Sequence, residues 1–233
     1  MPLCSQCGEA LDIDLESVRF AGHLATEAPI CHRCHEAPPM FERAVAYAVY
    51  QYEVRELIHL LKYERMRGVA HVLGPLLAQS ILTLRADAAS ELVVVGVPLF
   101  PSKQRQRGYN QSELLADAAI ASLRVTAPGW KLHRIPSLLA RRRDTRSQFE
   151  LTPIGRSRNL EGAFAVDADK LPLGCEVLLI DDIYTTGATA RECSRVLRRA
   201  GVRKVLVATV ARAQSPQVEF WEDNSMHAAQ GFG

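Results

Sequence analysis

Three groups of residues in this chain have types and spacings that could do chemistry. Asp181 and Asp182 stand side by side, four residues ahead of Thr186-Gly187-Ala188-Thr189 and directly before Ile183-Tyr184-Thr185. Paired carboxylates suit the hydroxyls of a polyol such as ribose, or a hard divalent ion such as Mg²⁺ bound with it. Hydroxyls at Thr185, Thr186 and Thr189 around Gly187, whose backbone can take positive φ and lets a ligand approach closely, make a cup of phosphate size. The second group is Cys4-x-x-Cys7 and Cys31-x-x-Cys34, two knuckles separated by 23 residues. Four thiolates at such spacing can meet one tetrahedral Zn²⁺, whereas two disulfides or a redox dithiol fit a reducing compartment and the missing thioredoxin-like context poorly. The third group is basic: Lys103, Arg105 and Arg107, with Arg141-Arg142-Arg143 further on.

Elements must bring these groups together. Val177 to Ile180 is an unbroken apolar run, as expected of a strand covered on both faces, and it delivers Asp181 and Asp182 to the strand's C-terminal end. After the threonine loop, Cys193, Val196, Leu197 and Ala200 recur at helical spacing, with Gly201 as a stop. The loop therefore feeds a helix N-terminus, where unpaired N–H groups and a positive dipole end favour an anion. Thr189 and Glu192 have capping-box spacing. A second such unit runs from strand Leu92–Val97 through a basic loop, Leu99 to Tyr109, into a helix that starts at Asn110, where Asn110 and Glu113 again have capping-box spacing. Helices are expected over Tyr52–Tyr63 and Val69–Leu84, the latter interrupted at Gly74-Pro75, with His59 and Lys62 on the solvent side. Leu132–Ile135 and Lys204–Val210 read as further strands. Arg141 to Gln148 reads as a mobile basic loop, and 214–233 as a loosely ordered tail. Cys175 and Cys193 lack a partner knuckle and read as small buried hydrophobes.

Strands alternating with helices predict an α/β, doubly wound, mostly parallel sheet with a small N-terminal zinc ribbon and a helical insert. The expected division is a zinc ribbon over 1–38, a helical hood or linker over 39–90, a main α/β domain over 91–213, and the tail. With 233 residues, 48% of them hydrophobic, the chain can build one sizeable core plus a small module. The net charge of +2 hides a basic middle: residues 101 to 160 carry 12 Lys or Arg against 4 Asp or Glu, a bias that suits diphosphate or nucleic acid. No apolar run reaches the roughly 20 residues needed to span a bilayer, and the start does not read as a signal peptide, so a cytoplasmic protein without membrane insertion is expected.

The string from Val177 to Thr189 resembles the signature by which type I phosphoribosyltransferases bind 5-phosphoribosyl 1-diphosphate, PRPP. Pro98, Arg107-Gly108-Tyr109-Asn110-Gln111, Glu113-Leu114-Leu115-Ala116 and Arg158 to Phe164, together with the knuckles and the Lys62-Tyr63 helix, resemble the ComF family of phosphoribosyltransferase-like competence proteins. These matches span Cys4 to Arg212. The resemblance implies that Asp181 and Asp182 hold ribose hydroxyls, that the loop Thr185 to Thr189 wraps a 5-phosphate, and that Mg²⁺, Lys103, Arg105 and Arg107 meet the diphosphate. Pentosyl transfer to an acceptor that the residues do not name is one implied activity. A non-catalytic module that holds nucleotide or single-stranded DNA for a DNA-uptake machinery is the other, against which an aromatic content of 6% argues mildly.

Overall fold

A computed structural model describes residues 2–11, 28–144 and 160–213. The stretch 12–27 between the knuckles, the basic residues after Asp144 up to Asn159, and the expected tail 214–233 lie outside the described residues. In chain order the elements are α1 (His32–Glu36), β1 (Arg43–Val49), α2 (Tyr52–Tyr63), α3 (Val69–Leu82), β2 (Glu91–Gly96), α4 (Pro101–Arg107), α5 (Gln111–Thr126), β3 (Lys131–Arg134), β4 (Leu139–Arg141), β5 (Phe164–Val166), β6 (Glu176–Tyr184), α6 (Ala188–Arg199) and β7 (Lys204–Arg212).

Five of the strands form one sheet in the order β1-β7-β6-β2-β3, and every neighbouring pair is parallel. Side chains alternate across a strand, so each apolar run must feed two cores. Val93, Val95, Val177, Leu179, Val205 and Val207 enter one apolar layer. Leu92, Val94, Leu178, Ile180, Leu206 and Ala208 enter the other. Ile58 and Leu61 of α2, Leu73 and Leu77 of α3, and Leu115 and Leu123 of α5 close the second layer. Cys193 and Leu197 of α6, Leu139 and Phe164 of the antiparallel pair β4–β5, and the four knuckle cysteines close the first. The doubly wound α/β expectation holds.

Chain order fixes where a ligand can sit. From β2 the chain winds outward through α5 to β3, then crosses back over β2 to β6 and winds the other way through α6 to β7. The crevice between β2 and β6, at their C-terminal ends, is the topological switch point, where open α/β sheets bind ligands.

Several local expectations change. The segment after Pro39, expected to be helical, contributes the edge strand β1, which pairs with β7 from Arg43↔Leu206 to Val49↔Arg212. The basic stretch expected as a loop forms the short helix α4, with Pro101 at its first turn and Gly108 as a left-handed C-cap. Arg141 lies in β4 and Arg142 donates its backbone N–H to Ala163, so the start of the expected mobile loop is strand-bound. Helix α3 runs through Pro75 without a break. The carbonyl freed by the missing N–H belongs to His71, an exposed residue, where water can satisfy it.

Gly74 is where α3 crosses α5: a β-carbon there would stand 2.8 Å from the Ala118 carbonyl carbon. Helix propensity favours alanine over glycine by about 1 kcal/mol, but forcing an extra carbon into a closed contact costs about 1–3 kcal/mol. Gly74→Ala is therefore expected to lower the urea midpoint, and an unchanged or raised midpoint would show that the helices can separate freely.

Candidate functional site

A cavity of about 800 Å³ opens at the switch point, lined on one side by Val97 and Pro98 after β2 and on the other by Asp181, Asp182 and the loop after β6. Strand β6 is longer than its apolar run: Asp181 to Tyr184 continue it, pairing with Thr209 to Arg212 of β7. The acids therefore lie inside a strand and face in opposite directions, Asp181 half-buried and Asp182 buried.

The threonine loop ends at Gly187, with φ +75°, which caps α6 without any side-chain hydrogen bond. Thr185, Gly187, Ala188 and Thr189 line the cavity. Thr186 is not among the lining residues; its carbonyl accepts from Arg33 Nη1 at 3.2 Å. The capping box expected from Thr189 and Glu192 does not form, because Glu192 accepts the Gly162 N–H at 2.7 Å and pairs with Arg195 at 2.6 Å. The helix starts instead at Gly187, and the first-turn amides of α6 have no acceptor within the helix itself, as at any helix start.

Lys62, expected on the solvent side, lies inside the site. Its Nζ is 2.6 Å from Asp182 Oδ1, with side-chain exposures of 14% and 5%. Burial works against the ammonium, but the Asp182 carboxylate outweighs it and holds the Lys62 pKa above its usual value. Asp181 differs: its Oδ1 accepts from Ser112 Oγ at 3.0 Å and from the Asp182 N–H at 2.9 Å. Burial and the adjacent Asp182 charge push its carboxyl up to about 7. Asp182 is thus held by an ammonium, Asp181 by a hydroxyl and an amide, and the two side chains leave opposite faces of the strand, which is not the arrangement of a two-carboxylate Mg²⁺ site.

Lys103 and Arg107 line the cavity from α4, whereas Arg105 is exposed and not among the lining residues. Arg107 also donates to Gln111 and sits 5.7 Å from the Tyr63 ring. Arg141 reaches the cavity from β4, packed 5.5 Å from the Phe164 ring. Asn110 caps α5 as expected, accepting the Ser112 N–H at 3.0 Å, while Glu113 pairs with Arg134 instead of closing the box.

The four knuckle sulfurs lie within 4.8 Å of one another, positioned to hold a metal ion. Cys7 and Cys31 are 3.6 Å apart, close to the roughly 3.8 Å between ligands of a tetrahedral ion bound at about 2.3 Å. His32 and His35 are exposed and outside the cluster. The module is seated against the threonine loop and the elements beside it: Arg191 Nη2 donates to Cys34 Sγ at 3.4 Å, Phe41 meets Tyr184 edge-on, and Arg212 covers the Tyr184 ring at 4.1 Å while pairing with Glu9.

Fold and site together define a doubly wound α/β protein whose switch-point cavity combines the start of α6 with an acid pair inside β6, beside a four-cysteine cluster positioned to hold a metal ion. The chain belongs to the ComF family. It is 33% identical over 214 residues to the DNA utilization protein YhgH of Escherichia coli (strain K12), covering 90% of each chain. It is 29% identical over 219 residues to competence protein F of Haemophilus influenzae, covering 91% of this chain and 90% of that one. It is also 26% identical over 216 residues to competence protein ComFC of Streptococcus pneumoniae, covering 90% of this chain and 87% of that one. No family model matches the chain. No helix among the described residues is long and apolar enough to cross a membrane.

The Asp181 carboxyl carries a linkage prediction. Its folded pKa lies above the ordinary value of 3.8, so between there and about 7 the folded state binds more proton than the unfolded one. Its contribution to stability is complete at low pH and is lost as pH rises through that window. Denaturation followed from pH 4 to 8 should show this falling component in the wild type and lose it in Asp181→Asn. An identical profile in both proteins would place the Asp181 titration elsewhere.

Proposed function

We propose that the cavity binds a phosphorylated pentose, with PRPP as the full ligand, and that the protein serves DNA uptake or use. The observation that carries the reading is the convergence in one cavity of Gly187 at a helix start, the Asp181 carboxyl, and the Lys103 and Arg107 side chains. In this reading the amides after Gly187 take the 5-phosphate, with Thr185 and Thr189 beside them. Asp181 faces the ribose hydroxyls. Lys103 and Arg107 meet the diphosphate, whose departure breaks the C1–O bond as an acceptor forms a new bond to C1; their fixed positive charge stabilises the oxygen that leaves with the electron pair. No side chain serves as nucleophile. Zinc is the ion proposed for the cysteine cluster, since four thiolates in tetrahedral reach are its usual structural set. Relatives named for DNA utilization and competence support the biological setting.

One observation favours a second, non-catalytic role for the rim. Tyr63, 55% exposed, stands between the His59 ring, 4.8 Å away, and the Arg107 guanidinium, while Arg105 and Arg142 face solvent. Aromatic rings among arginines suit the bases and phosphates of single-stranded DNA.

Calorimetry separates the two. Lys103→Gln should weaken PRPP binding by roughly tenfold, the loss of a hydrogen bond to a charged group, yet leave ribose 5-phosphate, which lacks the diphosphate, nearly unaffected. Equal weakening of both ligands, or no PRPP binding by the wild type, would reject the transferase assignment. For DNA, Arg105→Ala with Arg142→Ala should flatten the log-log salt dependence of strand affinity by about 0.7 for each phosphate that the arginines had neutralised. An unchanged slope would remove the rim from the DNA reading.

A further inference from the structure

Lys62 is the penultimate residue of α2, one position past the stripe formed by Val54, Leu57, Ile58 and Leu61. That places it at the edge of the buried face, where a long stem can pass under the helix end and deliver its head to the cavity. Its position is fixed from three directions. The Leu61 carbonyl, next in the chain, accepts from the buried Tyr109 hydroxyl. Arg67 stacks 4.9 Å from the Tyr109 ring and donates to the Gly108 carbonyl at 2.9 Å. Arg65 donates to the Gln106 carbonyl at 3.0 Å. The turn after α2 is thus clamped to the segment joining α4 and α5, and the clamp holds the ammonium against Asp182.

Two ions so deeply buried lose much hydration, and a pair of apolar side chains of equal volume would serve packing at least as well. Asp182 is also incompletely satisfied: Oδ1 is on Lys62, while Oδ2 is buried without a hydrogen-bond partner among the described residues. A core contact needs neither feature. A binding group whose last donor arrives with its ligand has both. Both residues line the cavity. A divalent ion on Asp182 would have to share one carboxylate with an ammonium at van der Waals range, and like charges so close exclude each other.

We propose that Lys62 is the resident cation of the acid pair: it neutralises and positions Asp182 in place of a divalent metal ion, so that the pentose end of the cavity binds through Asp181 without metal. The assignment of a pentose rests on the function proposed above; the exclusion of metal by Lys62 does not.

The test uses the full chain with its cysteine-bound metal in place, and Mn²⁺ followed by electron paramagnetic resonance as the probe. Wild type and Lys62→Arg should bind no Mn²⁺ at the acids. Lys62→Met should gain a Mn²⁺ site, tighter by roughly tenfold or more, that disappears in Lys62→Met/Asp182→Asn. The double variant removes both charges and so guards against misfolding of a buried unpaired carboxylate. In parallel, ribose 5-phosphate affinity should be indifferent to added Mg²⁺ in the wild type and become Mg²⁺-dependent in Lys62→Met. Mn²⁺ binding by the wild type that Asp182→Asn abolishes would overturn the proposal, and so would a folded Lys62→Met that gains no site. Absence of ribose 5-phosphate binding in every variant, with the Mn²⁺ results as expected, would sink the pentose assignment and leave the role of Lys62 standing.

Discussion

The buried contact between Lys62 and Asp182 is the constraint from which much of this architecture follows. A carboxylate inside a parallel strand, with its side chain 5% exposed, is untenable without a counter-charge. The counter-charge comes from another element, so α2 must end at a set distance from β6. That requirement explains why Leu61 is fully buried beside Lys62, and why Tyr109, Arg65 and Arg67 tie the turn after α2 to the α4–α5 junction. Gly74 serves the same layer in a separate way, by letting α3 lie close on α5 at Ala118.

Much of the sheet was legible because burial on both faces leaves a plain mark. Val93 to Val95, Val177 to Ile180 and Val205 to Val207 are apolar runs that no exposed element would tolerate. β1 left no such mark. It is an edge strand whose residues are mostly half-buried, with Ala44, Ala46 and Ala48 carrying little hydrophobic signal. α4 was missed for the opposite reason: it has no buried residue, hence no periodicity, and only its termini, Pro101 and the left-handed Gly108, announce a helix. β4 and β5, three residues each, are too short for any period to register.

The site was legible where chemistry is local and opaque where it is made by packing. Gly187 takes the left-handed conformation expected of it, and the cysteines meet as their spacing requires. The placement of Lys62 could not be read, because a lysine one position past an apolar stripe is ordinarily solvated, and only the tertiary clamp of the α2 end on the segment joining α4 and α5 turns it inward. Its best signal was negative: the Asp181-Asp182 pair extends a buried strand, so something had to neutralise it. The capping boxes failed for a related reason. Glu113 and Glu192 have the right spacing, but Arg134 and Arg195 are stronger partners than a backbone amide, and tertiary pairing overrides the local motif.

The cysteine module completes the same logic from the other face of the sheet. A segment this small has little core of its own, and its four buried cysteines are positioned to hold a metal ion. Yet its contacts fall on the residues that shape the cup: Arg33 on the Thr186 carbonyl, Cys34 on Arg191 in the first turn of α6, and Phe41 on Tyr184. A β-carbon on Gly187 would overlap the Tyr184 phenol, so the loop's left-handed turn and the position of that ring are a single packing solution. Tyr184 is held in turn by Arg212, whose charge is shared with Glu9 beside the first knuckle. The chain of contact from the cysteine sulfurs to the loop after β6 is therefore short: Cys34 meets Arg191, and Tyr184 lies between Gly187 on one side and Arg212, paired with Glu9, on the other.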